Sequence, residues 1–271
     1  MSSSHFLSVL ASLISIFTIG YGALGQSIDE EKPPYRMTLA MAESIAEARP
    51  KSGVIWRKEP FILEDPLVAR VLAKTKNELR LGGLRRLSPE VAKELSQHGV
   101  EDPPRLLMLS GLTDLSPQAA LEISHHKLLD FPKLNPSLET LAALRQQHGQ
   151  LSLGALNDIT VPQAALLAQY RGSLVLEGIT VLSEEVAICL AQSHGSLKLP
   201  NLEQLTYKSE LSFAQGSVVL EVPNLRQINC PKLIGRILTN PDTPGATINL
   251  ANLEHTTIDC LKTMSDFNLP I

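Results

Sequence analysis

Residues 174–199 read Leu-Val-Leu-Glu-Gly-Ile-Thr-Val-Leu-Ser-Glu-Glu-Val-Ala-Ile-Cys-Leu-Ala-Gln-Ser-His-Gly-Ser-Leu-Lys-Leu. Leu174-Val175-Leu176 alternates two apolar side chains about one outward position, the period-2 pattern of a strand. Gly178 marks a turn, and Ile179 points back inward. Ser183-Glu184-Glu185 then places a hydroxyl N-cap ahead of acidic residues, the signature of a helix start. Ala187 and Leu190 follow at helical spacing. Gly195 ends the helix and suits a left-handed position just past its C-terminus. Leu197-Lys198-Leu199 opens the pattern again, 23 residues after Leu174.

This unit recurs along the chain. Its strands begin at Leu79, Leu107, Leu129, Leu151, Leu174, Leu197, Leu220 and Ile248, with steps of 28, 22, 22, 23, 23, 23 and 28 residues. Self-similarity at such a period specifies stacked units. The expected fold is an α/β solenoid of strand–helix units with seven or eight parallel strands, running from about residue 54 to 271. A third aliphatic after each turn (Leu84, Leu112, Leu134, Leu156, Ile179, Leu202) should face inward. Ser88-Pro89-Glu90 and Ser116-Pro117-Gln118 add Pro at the first helical position. Gly99, Gly149 and Gly172 should end helices as Gly195 does. The first unit reads as a degenerate cap in which Trp56 and Phe61 replace strand leucines. Residues 203–217 have a poor helical pattern, and the unit from Ile248 onward closes the stack.

Of the 271 residues, 44% are hydrophobic and 4% aromatic, and leucine makes up about a sixth. One medium-sized aliphatic suits a layer in which every unit fills the same volume. A net charge of -4 argues against nucleic acid, which needs a basic stripe. Residues 6–25 are uncharged, and Ala23-Leu24-Gly25 resembles a small-x-small cleavage site. Residues 1–25 are therefore expected to be a signal peptide, with a mature start near Gln26 and a secreted, periplasmic or cell-surface location. The alternative is an uncleaved anchor, the one case in which the chain would meet a membrane. Residues 26–53 read as a linker with a short amphipathic helix from Met37 to Ala48. Of the three cysteines, Cys230 and Cys260 fall in adjacent units. Their spacing allows one bridge in an oxidising compartment, while the other reading leaves all three free.

Leu-x-Leu-x-Gly-Leu-Thr-x-Leu-Ser, as in Leu107–Ser116 and again in Leu174–Ser183 with Ile179 in place of the third leucine, resembles the leucine-rich repeat. The period is similar to that of leucine-rich repeats on exported and surface bacterial proteins. The resemblance covers about residues 56–265. It implies parallel strands on a concave face, helices on the convex face, and protein–protein recognition with no catalytic residues. The family's Asn or Cys position holds Gly83, Gly111, Lys133, Ala155 and Gly178, then Asn201, Asn224 and Asn252. Only those last three could form an asparagine ladder.

Candidate contacts are the outward strand positions Arg80, Met108, Asp130, Ser152, Val175 and Lys198, continued by Glu221 and Asn249. They form either a shallow groove for an extended protein or peptide or a plain solvated face. His98, His126, His148 and His194 precede helix-ending positions, with Tyr170 taking their place in one unit. They could be a metal or pH-sensing series, or basic groups at helix C-termini. No nucleophile motif, phosphate loop or metal-binding helix is present, so neither catalysis nor a cofactor is expected. The reading is a non-enzymatic recognition scaffold. Its alternatives are a structural envelope component without a groove ligand, and, behind that, the histidine module.

Overall fold

The computed structural model describes residues 34–47, 54–99, 103–239 and 253–266. The apolar segment 6–25, Ile248, Asn249 and Asn252 lie outside these residues. Among the described residues no helix is long and apolar enough to cross a membrane.

The strands are β1 Tyr35–Arg36, β2 Val54–Arg57, β3 Phe61–Ile62, β4 Glu78–Leu81, β5 Leu107–Met108, β6 Leu128–Phe131, β7 Gln150–Leu153, β8 Ser173–Val175, β9 Ser196–Lys198, β10 Val219–Glu221, β11 Gln227–Ile228 and β12 His255–Thr256. The helices are α1 Leu39–Glu47, α2 Pro66–Ala73, α3 Pro89–Leu95, α4 Pro117–Ile123, α5 Leu138–Leu144, α6 Val161–Leu167, α7 Glu184–Ala191, α8 Tyr207–Gln215, α9 Pro231–Thr239 and α10 Ile258–Asp266. Strands β2 and β4–β10 form one eight-stranded sheet in chain order. Every pairing in it is parallel. Strands β4–β9 are each followed directly by a helix, β2 and β10 reach theirs through β3 and β11, and successive helices pack on one another, so the described repeat is an α/β solenoid of stacked strand–helix units.

The register follows from the leucines. Leu79, Leu107, Leu129, Leu151, Leu174, Leu197 and Leu220 are direct partners across successive strands. These leucines are essentially all buried, as are Leu81, Leu109, Leu153, Leu176 and Leu199 two positions on. The third aliphatics, Leu84 through Leu202, are buried too. Slipping one strand by a single residue would turn its leucines out of the helix-facing side, so one register is specified throughout.

The helix starts are as the hydroxyls require. Asp65, Ser88, Ser116, Ser137, Thr160, Ser183 and Thr206 all cap helices. Ser116 Oγ accepts from the Ala119 N–H at 3.2 Å. Ser116→Ala should therefore cost about 1 kcal/mol, read as a lower urea midpoint at constant m. An unchanged midpoint would show that the cap carries no stability.

Three expectations change. Residues 203–217 do contain a helix, α8, because Thr206 caps it and Ser209, Glu210 and Phe213 bury one side of it. The stretch expected as a linker with a helix from Met37 to Ala48 does contain that helix, α1, whose Ala42 and Ile45 are buried, but it also adds β1, paired with β3. The glycines act differently as well. Among the described residues only Gly99 has a positive φ, 61°. Gly149, Gly172 and Gly195 are needed instead because backbone passes close beside them.

Candidate functional site

The outward row of the sheet is in register. Arg80, Met108, Asp130, Ser152, Val175, Lys198 and Glu221 are successive cross-strand partners. Parallel strands lie about 4.8 Å apart, so neighbouring side chains in the row stand side by side. Arg80 pairs with Glu78 at 3.2 Å. At the other end Lys198 pairs with Glu221 at 2.9 Å, and the Ser196 hydroxyl donates to Glu221 at 3.3 Å. Charge is thus matched at both ends of the row.

The middle of the row is different. Ser152 is only 3% exposed and Val175 only 9%, which corrects the expectation that both project into solvent. Short side chains in register with larger neighbours are shaded by them. Arg80, Met108, Asp130 and Lys198 are half-buried. Asp130 Oδ1, Ser152 Oγ and Ser173 Oγ, on three consecutive strands, are buried without a hydrogen-bond partner. Burial raises the Asp130 carboxyl above the ordinary carboxylate range, and Glu177 adds to the rise. Ser152 and the more distant Arg80 oppose it. The Ser152 hydroxyl is thus near enough to soften the shift, although its placement relative to Asp130 does not meet hydrogen-bond geometry. Unused polar capacity of this kind is costly when buried.

The histidines do not form one series. The buried polar column at the helix ends consists of Thr75, His98, His126, Gln147, Tyr170 and Ser193. His148 and His194 are exposed beside it. Counting back four residues from Leu79, Leu151, Leu174 and Leu197 finds Thr75, Gln147, Tyr170 and Ser193. His126, however, lies three residues before Leu129, the offset that the exposed His148 and His194 have from Leu151 and Leu197, so the strand period finds only part of the column. The column ties each unit to the one before. Gln147 Nε2 donates to the His126 and Lys127 carbonyls at 3.1 and 2.9 Å. Tyr170 donates to the Gly149 carbonyl at 3.1 Å, and Ser193 to the Tyr170 carbonyl at 3.3 Å.

His98 and His126 stack with centroids 5.5 Å apart. The Leu128 N–H donates to His126 Nδ1 at 3.1 Å, which places the His126 proton on Nε2. That nitrogen lies 3.3 Å from His98 Nδ1. His98 Nε2 in turn lies 2.9 Å from the Asn77 carbonyl. Both rings are therefore neutral, with every ring nitrogen engaged. Burial, then the neighbouring His98, pushes His126 down to about 3. This pair is built as an internal tie and leaves no nitrogen for a ligand. Among the described residues no group of three or more His, Cys, Asp or Glu side chains is placed to hold a metal ion.

The asparagine positions form a short ladder. Asn201 Nδ2 donates to the Glu177 carbonyl and Asn224 Nδ2 to the Pro200 carbonyl, both at 2.7 Å. Cys189, Cys230 and Cys260 are free thiols in this structure, with Cys230 and Cys260 buried. Set beside known proteins, the chain matches no family model and no curated protein.

Proposed function

We propose that this chain is an exported, non-enzymatic recognition scaffold, a leucine-rich-repeat-like solenoid whose strand face, concave by that resemblance, binds a protein or peptide. The observation that carries the reading is the run of unpartnered polar atoms at Asp130, Ser152 and Ser173. Asp130 and Ser152 sit at the centre of a row whose two ends are already charge-matched, and Ser173 lies in the adjoining row. A partner that brings donors or a cation to that centre would satisfy groups the fold leaves bare, and charge complementarity would set its register. A rigid sheet with side chains at fixed spacing is a suitable platform for such recognition.

The test is capture of a partner from the native envelope by the mature chain, compared with Asp130→Lys and Lys198→Glu. Loss of one specific partner in Asp130→Lys, at unchanged melting temperature, is the expected result. A photocrosslinker at Met108 should reach that partner, and one at Ile188 on the helix face should not. An unchanged partner set, or self-association alone, would reject the reading in favour of a structural envelope component.

A further inference from the structure

The edge of the solenoid where helices end and strands begin carries a second feature, separate from the sheet face. Two clefts, of about 700 and 600 Å³, share Gln146 and His148 and so form one trough across successive units. Its titratable lining includes His125, Lys127, Arg145, His148, Arg171 and His194, and among the described residues no carboxylate lines either cleft. In a chain of net charge -4, this concentration of basic groups is a local inversion. Arg145 donates to the Gln169 side-chain carbonyl, a neutral partner. All six side chains are exposed.

Helix C-termini attract cations, and that accounts for Arg145, which caps α5. It accounts for His125 as well, whose Nδ1 lies 3.0 Å from the Glu122 carbonyl in the last turn of α4, but not for Lys127, His148 and Arg171. Lys127, His148 and Arg171 lie four residues past Ile123, Leu144 and Leu167, the last residues of their helices. The dipole's influence fades within the last turn. His148, Arg171 and His194 instead hold one equivalent position, three residues before Leu151, Leu174 and Leu197. The glycine after each packs against the preceding unit's backbone, which fixes the row at the spacing of the strands, about 4.8 Å.

We infer that this trough binds a linear anionic polysaccharide carrying one acidic group per sugar. A pyranose advances its chain by about one strand spacing, so in a two-fold chain the same-side acidic groups, on every second sugar, would meet every second basic side chain of the row, as at His148 and His194. An extended acidic peptide presents same-side carboxylates only every second residue, about 6.6 Å apart, and falls out of step. The glutamines along the trough, Gln146, Gln169 and Gln192, offer amide donors and acceptors to sugar hydroxyls.

The test is titration of the mature chain with oligogalacturonate, neutral dextran and polyglutamate, at several salt concentrations. Oligogalacturonate should bind and dextran should not. Arg171→Gln and Lys127→Gln should each weaken binding about five-fold or more and flatten its salt dependence, since each removes one ion contact. Both positions are exposed, so melting temperatures should hold. Absence of oligogalacturonate binding at low salt would overturn the inference. So would undiminished binding in the double variant, or equal binding of polyglutamate.

Discussion

Gly172→Ala should destabilise the protein by about 4 kcal/mol, through overpacking and lost hydrogen bonds together. A Cβ at position 172 would stand 2.0 Å from the Gly149 carbonyl oxygen and 2.9 Å from the His148 oxygen. Both obstacles are backbone, so no side chain can swing aside. The same Gly149 oxygen accepts from the Ser173 N–H at 2.8 Å and from the Tyr170 hydroxyl at 3.1 Å. Making room means parting two units at their tightest approach and loosening both bonds. Gly149 and Gly195 stand in the same relation to the units before them, with clashes of 1.9 and 2.2 Å. The control is Gly235→Ala. Gly235 lies inside helix α9, and among the described residues its Cβ would meet only Thr263 Cγ2, at 4.0 Å. That change should be neutral or stabilise by up to about 1 kcal/mol. Urea unfolding of the two variants measures the contrast, and a Gly172→Ala loss below about 1 kcal/mol would disprove the close-approach account.

These glycines show where the sequence was legible and where it was not. The spacing of Leu79, Leu107, Leu129 and their successors specifies strand register directly, because a period-2 strand can bury its leucines in only one way. Ser88, Ser116 and Ser183 were legible as caps because the signal is local. Gly149, Gly172 and Gly195 were legible as special positions, but their physical reason was not. A glycine needed for a left-handed turn and one needed for close approach look alike until the neighbouring unit is in place. The polar column failed for the same reason. His148 and His194 resemble His98 and His126 by type, and His126 even shares their offset from its strand leucine, so neither type nor spacing separates the buried site from the exposed one. At the sheet face, the pattern located Ser152 and Val175 on the outward row. Their burial depends on the size of cross-strand neighbours, which one unit's sequence does not contain. Helix α8 was missed because its inner face is carried by Ser209, Glu210 and Phe213 in place of aliphatics. Glu210 is buried because its carboxylate accepts from the Asn229 N–H at 2.9 Å in the following unit.

Acid should weaken this fold progressively below about pH 6.5, with His126 as a principal cause. An unfolded histidine titrates near pH 6.5, whereas in the fold His126 is held down at about 3 by burial and by His98. Between those values the unfolded chain takes up a proton that the folded chain refuses. The stabilisation is therefore complete above the unfolded value and is lost as pH falls toward the folded one. The gap amounts to about 4–5 kcal/mol by pH 3, a large share of a typical domain's 5–15 kcal/mol. His98 acts in the same direction, lowered by burial and by the Arg105 cation against the pull of the Asn77 carbonyl. Asp130 and Glu210 act oppositely. Burial raises both, so they take up protons in the fold first and add stability as pH falls through their raised values. A single acid transition would mix these contributions, and His126→Gln separates them. Glutamine keeps a donor for His98, as Gln147 supplies one in the next unit, but cannot titrate. The variant should be less stable than wild type at pH 7.5, and that deficit should shrink steadily between pH 6.5 and 4. Urea unfolding at four pH values reads the difference directly. Parallel curves would mean that the proton enters elsewhere and that the buried pair does not set the acid limit.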